Sequence, residues 1–455
     1  MYFIEEHQFI ELSNSEFVLV NLITGEADIL QCEIKYALEN GDYMSIPNNI
    51  MNRLLDRRYI FTNKVEKSKF ELSLLSELDR LEQLQPPNFV LVLTYDCNLC
   101  CTYCYQQGYS VNKDNGSLSY ETIDRMFEAI NNICKDKEQK MQCTYDHESI
   151  KITLMGGEPL LFSNKKYVTY ILDKTKQYGY SANVITNGVE VDEFIDVFRN
   201  YGIESVQITI DGTKEIHDAR RVFKSGEGSF ARILKNVRLL IDNKIKTYIR
   251  INVDKLNIKC LPRLAEVLFT EIGQSELFIP YIYLLQHEGC MEYRNVIDEL
   301  EAIKIIRDMK IECQPLQMVE ETYHGNKLID GIFADEPFQP ATRMCASSKD
   351  QYVLDYKGYM YKCWWGIGRP EFRIGTFIPN LDIMEHKNIL WKKRSILNIS
   401  KCKACKYRFI CSGGCVGRTF EGELALSSGR CIDLEQIFDY LIKQKCSCLG
   451  GRNEE

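Results

Sequence analysis

The sequence predicts an α/β protein: a parallel sheet curled into a partial (β/α)6 barrel, with a small N-terminal module and a cysteine-rich C-terminal segment. Three observations predict it. Six short apolar runs, at 89–94, 151–155, 183–186, 205–210, 247–253 and 279–284, alternate with amphipathic stretches. One such stretch sets Ile123, Met126, Phe127, Ile130 and Ile133 at helical spacing. Strand-then-helix units in series fold as a parallel sheet. Second, the chain carries nineteen cysteines, ten of them in two regular patterns. Third, the first 85 residues follow a different rhythm, short strands and helices without the barrel repeat.

In chain order, the runs 17–22 and 27–30 flank Ile23-Thr24-Gly25-Glu26, a hairpin turn. A helix is expected at 31–39. Ile46-Pro47 opens another, with Ile50, Leu54 and Leu55 on its apolar face, and a strand at 59–62 closes a winged-helix-like unit. Residues 66–85 read as a bridging helix ended by Pro86-Pro87. The expected domains are 1–85, 86–311 and 312–455. Ligands of such sheets sit beyond the carboxyl ends of the strands. Cys97, Gly156, Asn187 and Asp211 each follow a strand, so they are expected at one mouth.

Composition excludes several classes. The formal net charge is −8, and residues 1–85 hold 15 acidic against 8 basic side chains, the wrong sign for a nucleic-acid partner. No run of about eighteen apolar residues suggests a membrane span, and Met-Tyr-Phe-Ile-Glu-Glu does not resemble a signal peptide. A cytoplasmic chain with no membrane partner is expected. An odd cysteine count in such a chain argues for metal ligation over a disulfide framework.

The first pattern is Cys97-x3-Cys101-x2-Cys104, directly after the first barrel run. It resembles the radical S-adenosylmethionine (SAM) superfamily. The resemblance implies a [4Fe–4S] cluster held by three thiolates, the free iron chelating the amino and carboxylate groups of SAM. Tyr103, just before the last cysteine, would pack on the adenine. Gly156-Gly157-Glu158-Pro159 resembles the segment that binds the methionyl amino group, with Glu158 accepting from the ammonium. Thr186-Asn187-Gly188 and Thr209-Ile210-Asp211-Gly212, followed by Ile216-His217-Asp218, match further family positions, where Thr186 and Thr209 would face the SAM carboxylate or ribose. Arg220, Arg221, Arg232 and Arg250 all remain candidates to pair with that carboxylate. Cys100 falls outside the triplet and reads as a buried thiol.

The second pattern runs Cys345-x12-Gly358-x4-Cys363, then Cys402-x2-Cys405-x5-Cys411-x3-Cys415-x15-Cys431. C-x2-C pairs also hold zinc, but seven cysteines exceed one zinc ion's needs. The spacing is similar to the SPASM extension of radical SAM enzymes that modify peptides and proteins. That resemblance implies two auxiliary [4Fe–4S] clusters, three clusters in all. Cys402, Cys405, Cys411 and Cys431 would hold the distal one. Cys345, Cys363 and Cys415 would hold the proximal one, with Cys313, Cys290 or a substrate thiolate completing it.

The N-terminal module resembles the peptide-recognition element of maturases for ribosomally made peptides, where a leader adds a strand to the sheet. The hairpin 17–30 is the expected edge. The expected function is therefore a radical SAM maturase that installs thioether or carbon–carbon crosslinks in a precursor peptide, served by a reductant such as flavodoxin or ferredoxin. Two alternatives stand beside it. One is oxidation of a protein side chain, as by anaerobic sulfatase maturases. In that family an aspartate base directly follows the cysteine matching Cys363, where this chain has Trp364. The other is a non-catalytic iron–sulfur electron carrier or sensor.

Overall fold

The computed structural model describes residues 1–106, 117–286, 293–334, 338–417 and 431–450. Its chain divides into two compact units, each drawn from separated stretches of sequence.

One unit comprises 1–83, 323–345 and 393–455. Strand β1 (Tyr2–Phe3) pairs with β5 (Ile60–Phe61), while β2 (His7–Glu11), β3 (Glu16–Asn21) and β4 (Ala27–Gln31) form an antiparallel sheet in the order β2-β3-β4. The hairpin β3–β4 and the helices Cys32–Asn40, Asn48–Asp56 and Lys64–Leu84 follow the expected order. Leu19, Leu30, Leu38, Met51, Leu54, Tyr59 and Ile60 close their core. β2 adds a strand the sequence reading did not name. Gly25 takes a left-handed φ of 81° at the hairpin turn, a conformation that favours glycine.

The same unit joins the long helix Lys64–Leu84 to the cysteine-rich C-terminal part. Phe70, Leu74, Leu75 and Leu78 pack on a cluster of Ile23, Ile396, Ile399, Cys402 and Phe409. Polar ties reinforce the contact: Arg408 Nη2 lies 2.7 Å from Glu6 and 2.8 Å from Glu71, and Glu82 accepts from the Thr342 hydroxyl at 2.6 Å.

The other unit comprises 84–322 and 346–392 and holds the barrel sheet. Its parallel strands are β6 (Asn88–Val92), β7 (Lys151–Met155), β8 (Ser181–Thr186), β9 (Ser205–Thr209), β10 (Thr247–Val253) and β11 (Phe278–Leu284), each beside the next in sequence. All six match the predicted runs. Two edges extend them. The two-residue β12 (Glu320–Glu321) joins β11 in parallel, and β13 (Gln351–Asp355) joins β6 in parallel. From β13 an antiparallel meander continues through β14 (Tyr359–Tyr361), β15 (Arg373–Thr376) and β16 (Asp382–Ile383). Among the described residues the resulting sheet has eleven strands. Among the described residues, no helix is long and apolar enough to cross a membrane.

Candidate active site

The carboxyl ends of β6 to β10 place the predicted residues in one network. After β6 the chain runs through Thr94 to Cys97, and the Gly156–Gly157 turn after β7 lies against it. Gly157 N–H donates to Thr94 O at 2.8 Å, and Glu158 N–H to Asp96 O at 2.8 Å. A Cβ on Gly156 would stand 2.3 Å from Thr94 O, and one on Gly157 would stand 2.2 Å from Asp96 O. Only glycine admits this approach of two backbones.

Glu158 is buried, and its carboxylate accepts from Thr186 Oγ1 (2.6 Å), Asn187 N (2.6 Å) and Leu160 N (2.8 Å). Burial pushes its pKa up to about 7 against those hydrogen bonds. Its partners come from the β8 end, so it fixes the β7 loop to the β8 loop. The Thr186 hydroxyl is likewise occupied, donating to Glu158 and accepting from Gly188 N at 3.0 Å. Asn187 then reaches the cysteine loop: its Nδ2 donates to Asn98 Oδ1 at 2.7 Å and approaches Cys97 Sγ at 3.7 Å.

Tyr103 is half-buried, with its hydroxyl anchored inside. It donates to Asp211 Oδ2 at 2.5 Å and accepts from Arg221 Nη1 at 2.8 Å and Asn252 Nδ2 at 3.1 Å. The backbone of the loop is tied to the same region by Cys100 N to Val222 O (2.8 Å) and Thr102 N to Arg220 O (3.0 Å). Cys100 itself is exposed rather than buried, because this pairing turns Cys101 inward and its neighbour out. Behind Arg221, His217 is fully buried and neutral, its pKa lowered to about 3 by burial and by Arg221. Asp211 N donates to His217 Nδ1 at 3.3 Å, His217 Nε2 bonds Ser229 Oγ at 3.0 Å, and that hydroxyl donates to Arg221 O at 2.6 Å.

Among the four candidate arginines, this geometry distinguishes Arg221. Arg232 lies on the surface, 3.9 Å from Asp192. Arg250 stacks 3.6 Å from the Tyr283 ring and bonds Asn252. Arg220 also has buried Nε and Nη2 atoms without a hydrogen-bond partner, but it is clamped to Asp254 at 2.7 Å. Arg221 is buried, interacts electrostatically with Cys101 and Glu158, and keeps a buried Nε with no hydrogen-bond partner. Thr209 ends β9, half-buried and in register with Arg250. Asn98 and Asn252 thus join the site without having been named in the sequence, whereas Asn187 and Asp211 were expected at the mouth and Arg221 was one of four candidate arginines.

The cysteines of this loop fit a cluster better than free thiols. Cys97 and Cys101 interact with each other, as do Cys101 and Cys104. Burial, with Glu158, pushes the Cys97 thiol up to about 12. Bound iron deprotonates a coordinating thiol outright and so removes that cost. The orphaned Arg221 Nε beside Cys101 fits an anionic ligand. Among the described residues, no three His, Cys, Asp or Glu side chains converge on one metal ion. A cubane does not require it, since each thiolate takes its own iron.

In the other unit, Cys402, Cys405, Cys411 and Cys431 interact as a group, and burial first, then these neighbours, pushes Cys411 up to about 11. The local backbone explains the grouping. Cys405 N bonds Cys402 O at 3.1 Å, the short helix Arg408–Cys411 follows, and Ser412, Gly413 and Gly414 reverse the chain with φ of 51°, 83° and 70°. Cys345 and Cys415 are half-buried in this unit, whereas buried Cys363 follows β14 in the barrel unit. Cys313 is buried in the barrel unit, its thiol 3.8 Å from Pro262 O. Cys290 lies outside the described residues.

These features are similar to those of radical SAM enzymes. Residues 91–268 match the model of the Radical SAM superfamily, so the chain carries that domain. A cysteine-type anaerobic sulfatase-maturating enzyme of Clostridium novyi is 23% identical over 340 residues, 70% of this chain and 85% of the relative. The antilisterial bacteriocin subtilosin biosynthesis protein AlbA of Bacillus subtilis is 23% identical over 322 residues, 66% of this chain and 65% of the relative. Among solved structures, anSMEcpe with bound AdoMet superposes with a TM-score of 0.61 at 18% identity, covering 80% of this chain and 100% of that one. Streptococcus suis SuiB bound to precursor peptide SuiA gives 0.53 at 13% identity, covering 92% and 97%. At these identities the structural likeness establishes the fold.

Proposed function

We propose that the protein is a peptide maturase that binds the leader of a ribosomally made precursor and installs intramolecular crosslinks, thioether or carbon–carbon. Cys97, Cys101 and Cys104 would hold the first cluster. Tyr103, Gly156, Gly157, Glu158, Thr186, Thr209 and Arg221 would shape the SAM site. When bound, the cluster and SAM supply the 5′-deoxyadenosyl radical that abstracts a hydrogen atom from the peptide. Arg221, held by the His217–Ser229 relay, is the residue best placed to receive the SAM carboxylate. Glu158 keeps the β7 and β8 loops in place around it. Cys402, Cys405, Cys411 and Cys431 would hold one auxiliary cluster, and Cys345, Cys363 and Cys415 a second. An external reductant such as flavodoxin or ferredoxin would supply the electrons.

The observation that carries this reading is the grouping of Cys402, Cys405, Cys411 and Cys431 in a chain that also carries the radical SAM domain. An electron carrier would have no use for the network around Tyr103 and Arg221. The sheet of the N-terminal module supports a leader site. The helix Leu434–Gly450 bonds β2 through Gln8 Nε2 and Glu435 O at 3.0 Å, whereas β4 is paired on one side only among the described strands. Ile29 of β4 is exposed, and SuiB, seen with its precursor peptide, covers 92% of this chain. An added strand gains affinity from backbone hydrogen bonds and specificity from alternate side chains.

The sulfatase-maturase reading has the first-reported relative in its favour, but Trp364 stands where that family's aspartate base would be. Co-expression with the precursor peptide and mass spectrometry separate the two. Loss of two hydrogens spanning two residues supports a crosslink. The same loss confined by fragmentation to one side chain supports oxidation instead.

A further inference from the structure

Arg394 is buried beneath the cysteine-rich segment, an unusual place for a permanent charge. Its Nη2 donates to Gly413 O at 2.9 Å and Gly414 O at 3.1 Å. These two residues lie in the three-residue link between Cys411 and Cys415, so the guanidinium sits on the backbone between a cysteine assigned to one auxiliary cluster and a cysteine assigned to the other. Gly414 N–H meanwhile bonds Cys411 O at 3.0 Å, and Gly413 is held against Ile399, where an added Cβ would come within 2.9 Å. The seat is therefore rigid. Burial works against the charge and outweighs the rest, holding the guanidinium below its ordinary value, while Cys345, Cys415, Cys402 and Cys411 favour it.

We propose that Arg394 is a positioning residue that electrostatically links the two auxiliary cluster sites and raises the reduction potential of both. A cubane that accepts one electron gains one negative charge, and net charge is among the determinants of its potential. A fixed positive charge in low-dielectric surroundings stabilises the reduced form. A guanidinium suits the position because it does not lose its proton and its Nη2 donates to two successive carbonyls. This inference rests on the two-auxiliary-cluster reading and adds to it a residue outside the cysteine pattern.

The test uses the full chain, reconstituted anaerobically, with Cys97, Cys101 and Cys104 changed to Ala so that only auxiliary signals remain. About eight irons per chain are expected in that background; a chain retaining none would overturn the cluster reading and this proposal with it. Potentiometric titration followed by electron paramagnetic resonance then compares Arg394, Arg394→Lys and Arg394→Gln. Arg394→Gln should shift both clusters to lower potential, changing the oxidised-to-reduced ratio at fixed ambient potential at least tenfold, about 59 mV for one electron. Arg394→Lys, which keeps the charge, should stay near the parent. With iron retained, unchanged potentials in Arg394→Gln, a shift of one cluster alone, or equal shifts in both variants would overturn the proposal. If Arg394→Gln loses its iron, Arg394→Met takes its place beside Arg394→Lys: both potentials lowered in Met alone uphold the electrostatic role, and parent-like potentials in Met overturn it.

Discussion

Tyr105 and Trp365 pack ring against ring with centroids 4.1 Å apart and planes at 56°. The contact joins the residue after Cys104 to the second residue after Cys363, within the barrel unit. Gln106 Nε2 extends it, donating to Tyr105 Oη at 3.0 Å and to Gly156 O at 3.1 Å. Aromatic pairs of this kind are worth about 0.5–1.5 kcal/mol beyond their area. Trp365→Ala should therefore fold and hold iron, but hold the Cys104 loop less firmly. The expected result is more 5′-deoxyadenosine released per modified peptide, read by chromatography of the nucleoside against mass spectrometry of the peptide.

Gly157→Ala tests the backbone approach that would shape the proposed SAM site. Its Cβ would meet Asp96 O at 2.2 Å, a contact only backbone movement relieves. The prediction is loss of SAM binding and of the first cluster's iron, about four per chain, with the remaining iron kept. Iron analysis and equilibrium SAM binding check both halves.

Tyr103→Phe removes the hydroxyl shared by Asp211, Arg221 and Asn252. Leaving buried polar groups unsatisfied costs about 1–3 kcal/mol. SAM affinity should fall roughly five- to a hundredfold if Arg221 swings away, while Tyr103→Trp, which keeps an aromatic face but not the hydroxyl, should not restore it. Calorimetric titration of the reconstituted protein measures the change.

His217 gives the fold a defined acid sensitivity. Its folded pKa, about 3, lies below the ordinary 6.5, so between these values the unfolded chain binds the extra proton. Stability from this group is complete above pH 6.5 and is lost as pH falls towards 3, at about 1.4 kcal/mol per unit at most. Denaturant unfolding of the barrel at pH 7.5 and 5.5 should show the drop, and His217→Gln should flatten it.

The barrel was legible in the sequence because each strand is a short apolar run beside a helical period. Six runs placed between residues 88 and 284 suffice to fix the mouth where Cys97, Gly156, Asn187 and Asp211 meet. β13 was not legible. Gln351–Asp355 is buried along its whole length, so it lacks an alternating pattern, and its partner β6 lies some 260 residues earlier. Choosing Arg221 over its three rivals likewise required long-range packing, since only the fold shows which arginine faces Cys101. Glu158 shows the reverse case: its place in the Gly-Gly-Glu segment was clear, but its partners Thr186 and Asn187 emerge only when β7 and β8 are side by side.

The proposed leader site uses the open side of β4. Ile29→Asp places a charge on an exposed position of that strand. Leader affinity should fall at least tenfold by fluorescence anisotropy, while 5′-deoxyadenosine formation without peptide stays at the parent rate.

The central claim is radical modification of a precursor peptide, and one experiment addresses it most directly. The anaerobically reconstituted protein is incubated with dithionite, SAM and the precursor peptide, then nucleoside and peptide are analysed together. The account predicts 5′-deoxyadenosine and a peptide lighter by two hydrogens per crosslink, both abolished by Cys101→Ala. Intact clusters with no 5′-deoxyadenosine, or a peptide mass increased by a methyl group or a sulfur atom, would contradict it.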